Sequence, residues 1–229
     1  MPGLTPKGEI SLKLLILRLE GVLQSWGEHS KWDERDSGLM PTKSGVLGMI
    51  SSALGYPRGD RRIEELSVKL HMAVRADRPG TPAVDFQTVQ GMPYIFNAEG
   101  KKRSGAADTI ISTRCYLYDA SFLVILYGDA DALERCAAAL RDPVWAPFLG
   151  RKSCVPSLPL IPDITEEYDS VKDALEKYKR SVRSSGKLLV QTEDGGGRAV
   201  RMDQITDAAG RHFTRRYVTN GSVMPLEVD

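Results

Sequence analysis

A short apolar run near the start of the chain, at residues 12–19, constrains the fold more than any other feature. The run reads LKLLILRL, is apolar on both of its faces and is soon followed by Gly21. A strand of this kind must be covered on both sides, so we predict a central strand of a sheet. A second apolar run at 121–127, SFLVILY, predicts another strand.

Two helices are predicted from their caps and their periodicity. Residues 41–57 read PTKSGVLGMISSALGYP, in which Thr42 or Ser44 begins a helix and Gly55 ends it. Asp129 caps the second helix, and Pro143 ends it. The apolar face of the second helix has the expected spacing of i, i+3, i+4 and i+7 at Leu133, Cys136, Ala137 and Leu140.

Residues 68–77 alternate between two kinds of side chain. Apolar residues stand at the even positions, and Lys69, His71, Arg75 and Asp77 stand among the odd ones. This alternation predicts a half-buried strand with one face toward solvent, on which His71 is a surface residue.

The order of these elements predicts an α+β fold. Residues 79–118 are too long for a structureless loop in a compact domain, so we predict a protruding hairpin or arm there. A Gly- and Pro-marked segment at 144–162 could supply a fourth strand, which completes a βαββαβ ferredoxin-like (RRM-like) palm.

The rest of the chain, at 163–229, is predicted to form a small C-terminal appendage. The palm would then span 1–162. In the appendage we expect an amphipathic helix at 165–182, and strands at 187–192 and 212–219 on either side of the turn EDGGGR.

Composition limits the kinds of function. Thirty-one Lys and Arg against thirty Asp and Glu give a net charge of +1, so a polyanion would have to meet local basic clusters. The three cysteines are widely spaced, so we expect neither disulfides nor a zinc site and place the protein in the reducing cytoplasm. The three histidines are scattered, so we expect no bound metal and no cofactor. Lys13 and Arg18 interrupt the first apolar run, and we expect neither export nor a membrane span.

The segment PTKSGVLG at 41–48 is the strongest local signal for binding. Amides at a helix start, the charge of Lys43, the hydroxyl of Ser44 and the open backbone at Gly45 favour a phosphate. An ordinary cap, with glycines for close helix–sheet packing, explains the same residues equally well. The segment lacks the GxxxxGK[ST] pattern of a P-loop.

Two further basic segments add to this signal. Arg151, Lys152 and Ser153 follow a glycine and could clamp a backbone phosphate, or form an ordinary solvated loop. The tip of the arm is basic, with Lys101, Lys102 and Arg103, and could follow phosphates. Where the arm returns to the domain, Arg114 and Tyr116 could stack on an unpaired base. Trp26 and Trp32 could form a stacking platform or a hydrophobic lid.

Groups for catalysis are few. A metal-free ribonuclease would need a general acid and a general base, and His29, Lys43, Tyr94 and Tyr116 are the plausible suppliers. Nothing in their spacing brings them together, so we predict no catalytic residue. The residues favour a protein that binds RNA without cleaving it. Two alternatives remain, a metal-independent endoribonuclease and a free-standing RNA-recognition module. Against the second, the first and third predicted strands lack the aromatic residues that RNA-recognition modules use to stack on bases.

Several blocks together resemble a known family, the Cas-five RAMP subunits of type I-E CRISPR Cascade. The blocks follow the family's order over nearly the whole chain: LILRLEGVLQSWGE (15–28), PTKSGVLGMISSALGYPRGD (41–60), DFQTVQG (85–91), TRCYLYDASF (113–122), FLGRKSCVPS (148–157) and RHFTRRYV (211–218).

The resemblance implies a ferredoxin-like palm, a thumb inserted at about 85–118 and a cap on the 5′ handle of a guide RNA. It also implies contacts with the Cascade backbone subunit and large subunit, and with target DNA only indirectly through the complex. Type I-C relatives cleave their own guide precursor, which is the source of the endoribonuclease alternative. The residues that we expect to contact RNA are Gln24, Trp26, Thr42, Lys43, Ser44, Gly45, Lys101, Lys102, Arg103, Arg114, Tyr116, Arg151, Lys152, Ser153 and Cys154.

Overall fold

A computed structural model describes residues 12–28, 33–91, 95–96, 101–102, 109–181 and 188–193, together with the backbone of three strands beyond them. The elements are β1 Leu14–Gln24, β2 Glu34–Arg35, α1 Lys43–Ala53, α2 Arg61–Lys69, β3 Leu70–Arg78, β4 Thr81–Gln90, β5 Thr109–Gly128, α3 Ala130–Arg141, β6 Asp163–Thr165, α4 Val171–Lys177, β7 Leu188–Thr192, β8 Met202–Thr206, β9 Phe213–Tyr217 and β10 Ser222–Leu226. None of the described helices is long and apolar enough to span a bilayer.

One mixed sheet, mostly antiparallel, organises the protein. Its strand order is β10-β7-β3-β5-β1-β6, and β2 and β4 pair with β5 outside this path. The two apolar runs of the sequence, β1 and the second half of β5, lie side by side at its centre, with Leu14 opposite Tyr127. Both runs are strands, as predicted, and the central position expected for the first is confirmed.

β5 is a single strand of 20 residues with two different environments. Its second half is buried between β1 and β3. Its first half pairs with β4, from Thr81 opposite Tyr118 to Gln90 opposite Thr109, with the short β2, and at Leu117 and Tyr118 also with the end of β1. Asp119, which has a φ of 54°, separates the two halves. The insertion at 79–118 therefore contains a two-stranded hairpin that continues out of the main sheet.

The core lies on both faces of the sheet. On one face, α1 and α3 cover β1, β3 and β5, and the predicted apolar face of α3 is fully in this cluster. Asp129 is the N-cap of α3, and Thr42 is the N-cap of α1, as predicted. On the other face, Ala174 and Leu175 of α4 pack against Leu14, Ile16 and Ile125.

The prediction of a half-buried strand at 68–77 was wrong in two respects. Val68 and Lys69 belong to α2, which was not predicted, although Asp60 is its N-cap. Most of β3 is buried on both faces, since Arg75 and Asp77 are only 0% and 3% exposed. His71 is exposed, as expected, and stacks on Tyr127.

The buried polar side chains of β3 form an ionic network that holds the segment after α4. Arg75 Nε lies 2.5 Å from Asp77 Oδ1, and Arg18 Nη1 lies 2.7 Å from Asp77 Oδ2. Arg75 also donates to the carbonyl oxygens of Leu175 and Tyr178. Apart from the Arg75–Asp77 pair itself, these partners come from distant parts of the chain, which is why the alternation alone could not reveal them.

Three predictions for the second half of the chain need correction. The fourth strand lies at Asp163–Thr165, not within 144–162. The helix expected at 165–182 is only Val171–Lys177, because Ser170 caps its start and Tyr178 is already extended. The strands at 187–192 and 212–219 exist as β7 and β9, but β7 pairs with β10 and β9 pairs with β8, whereas the EDGGGR turn lies largely outside the described residues.

Candidate nucleic-acid interface

A polar cleft of about 350 Å³ opens where the hairpin leaves the main sheet. It is lined by Ser25, Gly27, Arg35, Arg114, Gly150 and Arg151. Three guanidinium groups are permanently charged donors in a fixed planar geometry, which suits phosphate oxygens. The cleft therefore has the chemistry of an anion site, and it contains two of the predicted arginines.

Three separate segments bring the arginines together. Arg35 lies in β2, which pairs in parallel with β5 so that Arg35 is opposite Arg114. The backbone N–H of Thr113 donates to the carbonyl oxygen of Asp33 at 2.9 Å and anchors this short pairing. Arg35 is exposed and was missed in the sequence, because its two partners stand far away in the chain and its sequence neighbours are acidic.

Arg151 both contributes charge and fixes the walls of the cleft. Its Nη1 donates to the carbonyl oxygen of Cys115 at 3.1 Å, and its Nη2 donates to those of Arg35 and Asp36 at 3.0 and 3.1 Å. Its guanidinium lies 4.8 Å from the centre of the Tyr116 ring. These contacts tie β2 and the 149–154 turn to β5.

Gly150 allows that turn to approach the end of β1. Its φ is +89°, and a Cβ there would stand 1.7 Å from the carbonyl oxygen of Ser25. Leu149 and Cys154 close the turn through an N–H to carbonyl bond of 2.7 Å. Lys152 and Ser153 are exposed on its outside, which fits a phosphate clamp and an ordinary solvated loop equally well.

The start of α1 is built mainly by packing. The Thr42 hydroxyl accepts from the Gly45 N–H at 3.1 Å, and a Cβ at Gly45 would stand 2.9 Å from the Trp26 ring. Lys43 is largely buried, and its ammonium lies 2.9 Å from a carboxylate oxygen of Glu193. The cap and the packing role of Gly45 are thus present, and Lys43 already has an anionic partner within the chain.

Several predicted contact residues have their side chains in the core. Gln24 and Trp26 are 0% and 1% exposed; Gln24 donates to the carbonyl oxygens of Leu19 and Ala120 and accepts from the Trp26 indole N–H at 3.0 Å. Cys154 is also fully buried. Side-chain contact with RNA by these three does not fit this conformation, since their polar groups are satisfied internally or covered.

Tyr116, which was expected to stack on an unpaired RNA base, is also largely buried. The ring is only 4% exposed, and it faces the guanidinium of Arg151. Arg114 is half-buried in the cleft, and its Nε lies 3.5 Å from the Ser112 hydroxyl. Arg114 therefore lines the cleft together with Arg35 and Arg151, and the Tyr116 ring packs against the Arg151 guanidinium.

The remaining predicted residues are partly outside the described ranges. Lys101 and Lys102 are exposed at the far end of the arm, and Lys102 forms an isolated bridge with Phe96. Arg103, His29, Trp32 and Tyr94 lie outside the described residues. Within the described ranges, no cluster of His, Cys, Asp and Glu side chains could hold a metal ion.

Comparison with known proteins gives a consistent result. The family model described as CRISPR-associated protein (Cas_Cas5) matches residues 14–219. The chain is 34% identical over 177 residues to "CRISPR system Cascade subunit CasD" of Escherichia coli (strain K12), covering 72% of this chain and 76% of that protein.

Solved structures agree with these matches. A chain of a "CRISPR RNA-guided surveillance complex" is similar with a TM-score of 0.72 and 33% identity, covering 94% of this chain and 90% of the other. A structure titled "Crystal structure of Cas protein" has a TM-score of 0.66 and 34% identity, with 93% and 95% coverage. The match to the family model over most of the chain confirms the resemblance seen in the sequence, and this chain belongs to the Cas5 family of CRISPR-associated proteins.

Proposed function

We propose that this chain is a non-catalytic subunit of a type I-E Cascade complex and caps the 5′ handle of its guide RNA. The observation that carries the proposal is the cleft in which Arg35, Arg114 and Arg151 converge beside Gly27 and Gly150. Three fixed cations next to accessible backbone can hold consecutive phosphates of a single strand without reading its sequence.

The strand order supports a ferredoxin-like palm for this subunit. The order β3-β5-β1-β6, with helices between β1 and β3 and between β5 and β6, follows the βαββαβ pattern. We assign the palm, which the sequence predicted to end at residue 162, to residues 1–165 so that it includes β6 as its last strand, and we assign the thumb to the hairpin of β4 and the first half of β5. Residues beyond β6 would then be the appendage, which adds β7 and β10 to the edge of the palm.

The two faces of the hairpin support different partners. Register places Arg114, Tyr116 and Gln87 on the face toward the cleft. The opposite face exposes Val84 and Phe86, which are 67% and 64% exposed. A contiguous exposed apolar face favours a protein neighbour, for which we propose the Cascade backbone subunit.

The large subunit is a further proposed partner. An apolar groove of about 580 Å³ between the end of α3 and residues 156–161 is a surface available for it. Contact with target DNA would be indirect, through the assembled complex, and we place the protein in the cytoplasm with its complex.

Binding of a repeat-derived handle RNA by the purified chain tests the proposal. We expect Arg114→Ala to weaken binding on the order of tenfold, which is the size of one lost charged contact. Arg135→Ala is the matched control, since Arg135 is exposed on α3, away from the cleft. Equal losses for both variants would remove the cleft from the RNA interface.

The same samples test for catalysis. A non-catalytic subunit leaves the RNA intact in the presence and absence of metal. Cleavage at one defined position, lost on substitution of Lys43 or Tyr116 without loss of binding, would establish the endoribonuclease alternative instead.

A further inference from the structure

The lysine at the start of α1 is paired inside the chain. The Lys43 side chain is 9% exposed, and its Nζ lies 2.9 Å from Oε2 of Glu193. Lys43 is the first residue of α1, where the helix dipole already favours an anion. A carboxylate thus stands where the sequence led us to expect a phosphate of the bound RNA.

Glu193 is held at this place at a cost. Its backbone N–H donates to the Met72 carbonyl oxygen at 3.3 Å, directly after β7. Its Oε1 is buried and has no hydrogen-bond partner among the residues that the structure describes. An unsatisfied buried carboxylate oxygen is unfavourable, so the ion pair is not an optimal structural bridge.

The surroundings of Glu193 supply only partial compensation. Burial raises the pKa of its carboxyl, while Lys43 and His71 act in the opposite direction. His71 Nδ1, on β3, lies 3.4 Å from the same Oε2 that Lys43 contacts. Lys43 and His71 therefore converge on one carboxylate oxygen, and the second oxygen has no hydrogen-bond partner among the residues that the structure describes.

From this arrangement we infer that Glu193 is an internal competitor of RNA for Lys43. Carboxylate and phosphate oxygens are interchangeable partners of an ammonium group, and the helix start favours either one. In the free chain Lys43 is occupied by its ion pair with Glu193. A phosphate of the RNA can bind the Lys43 ammonium only by displacing the Glu193 carboxylate. The inference rests on the proposed RNA-binding function and adds a restraint on it.

The test compares handle-RNA affinity of the full chain and three variants at fixed ionic strength. Glu193→Gln removes the competing charge and is expected to bind about tenfold more tightly, which is the effect of one additional charge-assisted hydrogen bond to the RNA. The double variant Lys43→Met with Glu193→Met replaces the pair by apolar side chains, and is expected to lack this increase in affinity. Glu134→Gln removes an equal charge from the exposed pair with Lys13 and is expected to match the unaltered chain.

The outcomes distinguish a failure of the competitor inference from a failure of the proposed RNA-binding function. Equal affinity of Glu193→Gln and the unaltered chain, with binding still sensitive to Arg114→Ala, overturns the competitor and leaves RNA binding intact. An equal increase in affinity from Glu134→Gln also overturns it, since overall charge then explains the effect. Absence of RNA binding by every variant overturns both. Thermal unfolding checks that each variant is folded, and Glu193→Ser, which admits water to the ammonium, replaces the Gln variant if that one does not fold.

Discussion

Replacing Asp77 with Asn removes the carboxylate at the centre of the buried ionic network. The side chains of Asp77 and Arg75 are both 0% exposed, and Arg75 Nε lies 2.5 Å from Asp77 Oδ1. Asp77 Oδ2 accepts from Arg18 at 2.7 Å and from the backbone N–H of Ser181 at 3.1 Å. An amide accepts fewer of these bonds and neutralises neither guanidinium, so Arg75 keeps a buried charge without a counterion.

The expected loss follows from that uncompensated charge. Breaking a buried ion pair by removing one partner costs about 3–5 kcal/mol of the free energy of unfolding. Because Arg75 retains backbone carbonyl partners near α4, we expect the lower end of this range. For a chain of this size, each kcal/mol moves the melting temperature by about 2–4 °C, so a loss of about 3 kcal/mol should lower it by roughly 6–12 °C.

Urea unfolding followed by circular dichroism measures the loss directly. Asp60→Asn is the control, since Asn still caps α2 and only the exposed pair with Arg62 is lost; it should shift the urea midpoint far less. A loss below about 1 kcal/mol for Asp77→Asn would show that the backbone carbonyls and water compensate Arg75 fully, and would refute the argument.

The same carboxyl predicts an acid dependence. Burial acts to raise the pKa of Asp77, but hydrogen bonds from Arg75 and Arg18 outweigh it and hold the pKa below its usual value of 3.8. A lowered folded pKa means that the stabilisation is complete above the unfolded pKa and is lost as the pH falls below about 4. The stability difference between the unaltered chain and Asp77→Asn should therefore shrink on acidification from pH 5 to pH 2, and a constant difference would contradict this sign.

Four further substitutions probe the cleft and the elements beside it. Gly150→Ala should be strongly destabilising, since a Cβ there overlaps a backbone carbonyl at 1.7 Å, whereas Gly48→Ala, with nothing within 4 Å, should stabilise α1 by about 0.5–1 kcal/mol in thermal melts. Gln24→Leu leaves the buried Trp26 indole N–H without its acceptor and should cost about 1–3 kcal/mol on urea unfolding; a neutral result would mean that water replaces the amide. Arg151→Lys keeps the charge but cannot reach three carbonyl oxygens and the ring at once, so proteolysis near β2 should accelerate; an unchanged cleavage rate would argue against its anchoring role.

Local signals in the sequence predicted the parts of the fold that local chemistry determines. Thr42 and Asp129 cap the two helices predicted from them, and the apolar runs of β1 and β5 lie in the centre of the sheet. Asp60 caps α2 in the same way. This helix was missed because the alternation of apolar residues begins at Val68 within α2 and continues into β3, so the sequence did not show where the helix ends and the strand begins. Caps and runs are readable because each depends on only a few neighbouring residues.

The site was predictable only in part, because its geometry depends on distant segments. Arg114 and Arg151 were found from their sequence context, yet Arg35 meets them only through the parallel pairing of β2 with β5. Gln24 and Trp26 stood in a family block and were expected to contact RNA, whereas both side chains are buried and the Gln24 amide oxygen accepts from the Trp26 indole N–H. The polar residues Arg75 and Asp77 misled for the same reason, since their partners come from β1 and from the segment after α4.

The pairing of β1 with β5 has a consequence for how the protein is made. Residues 14–24 are synthesised early, but their neighbours at 117–127 and 163–165 emerge from the ribosome much later. Contacts that close such long stretches of chain form slowly, so the nascent polypeptide carries an uncovered apolar strand through much of translation. Soluble yield should therefore depend on growth temperature and chaperone supply more than the stability of the finished protein would indicate.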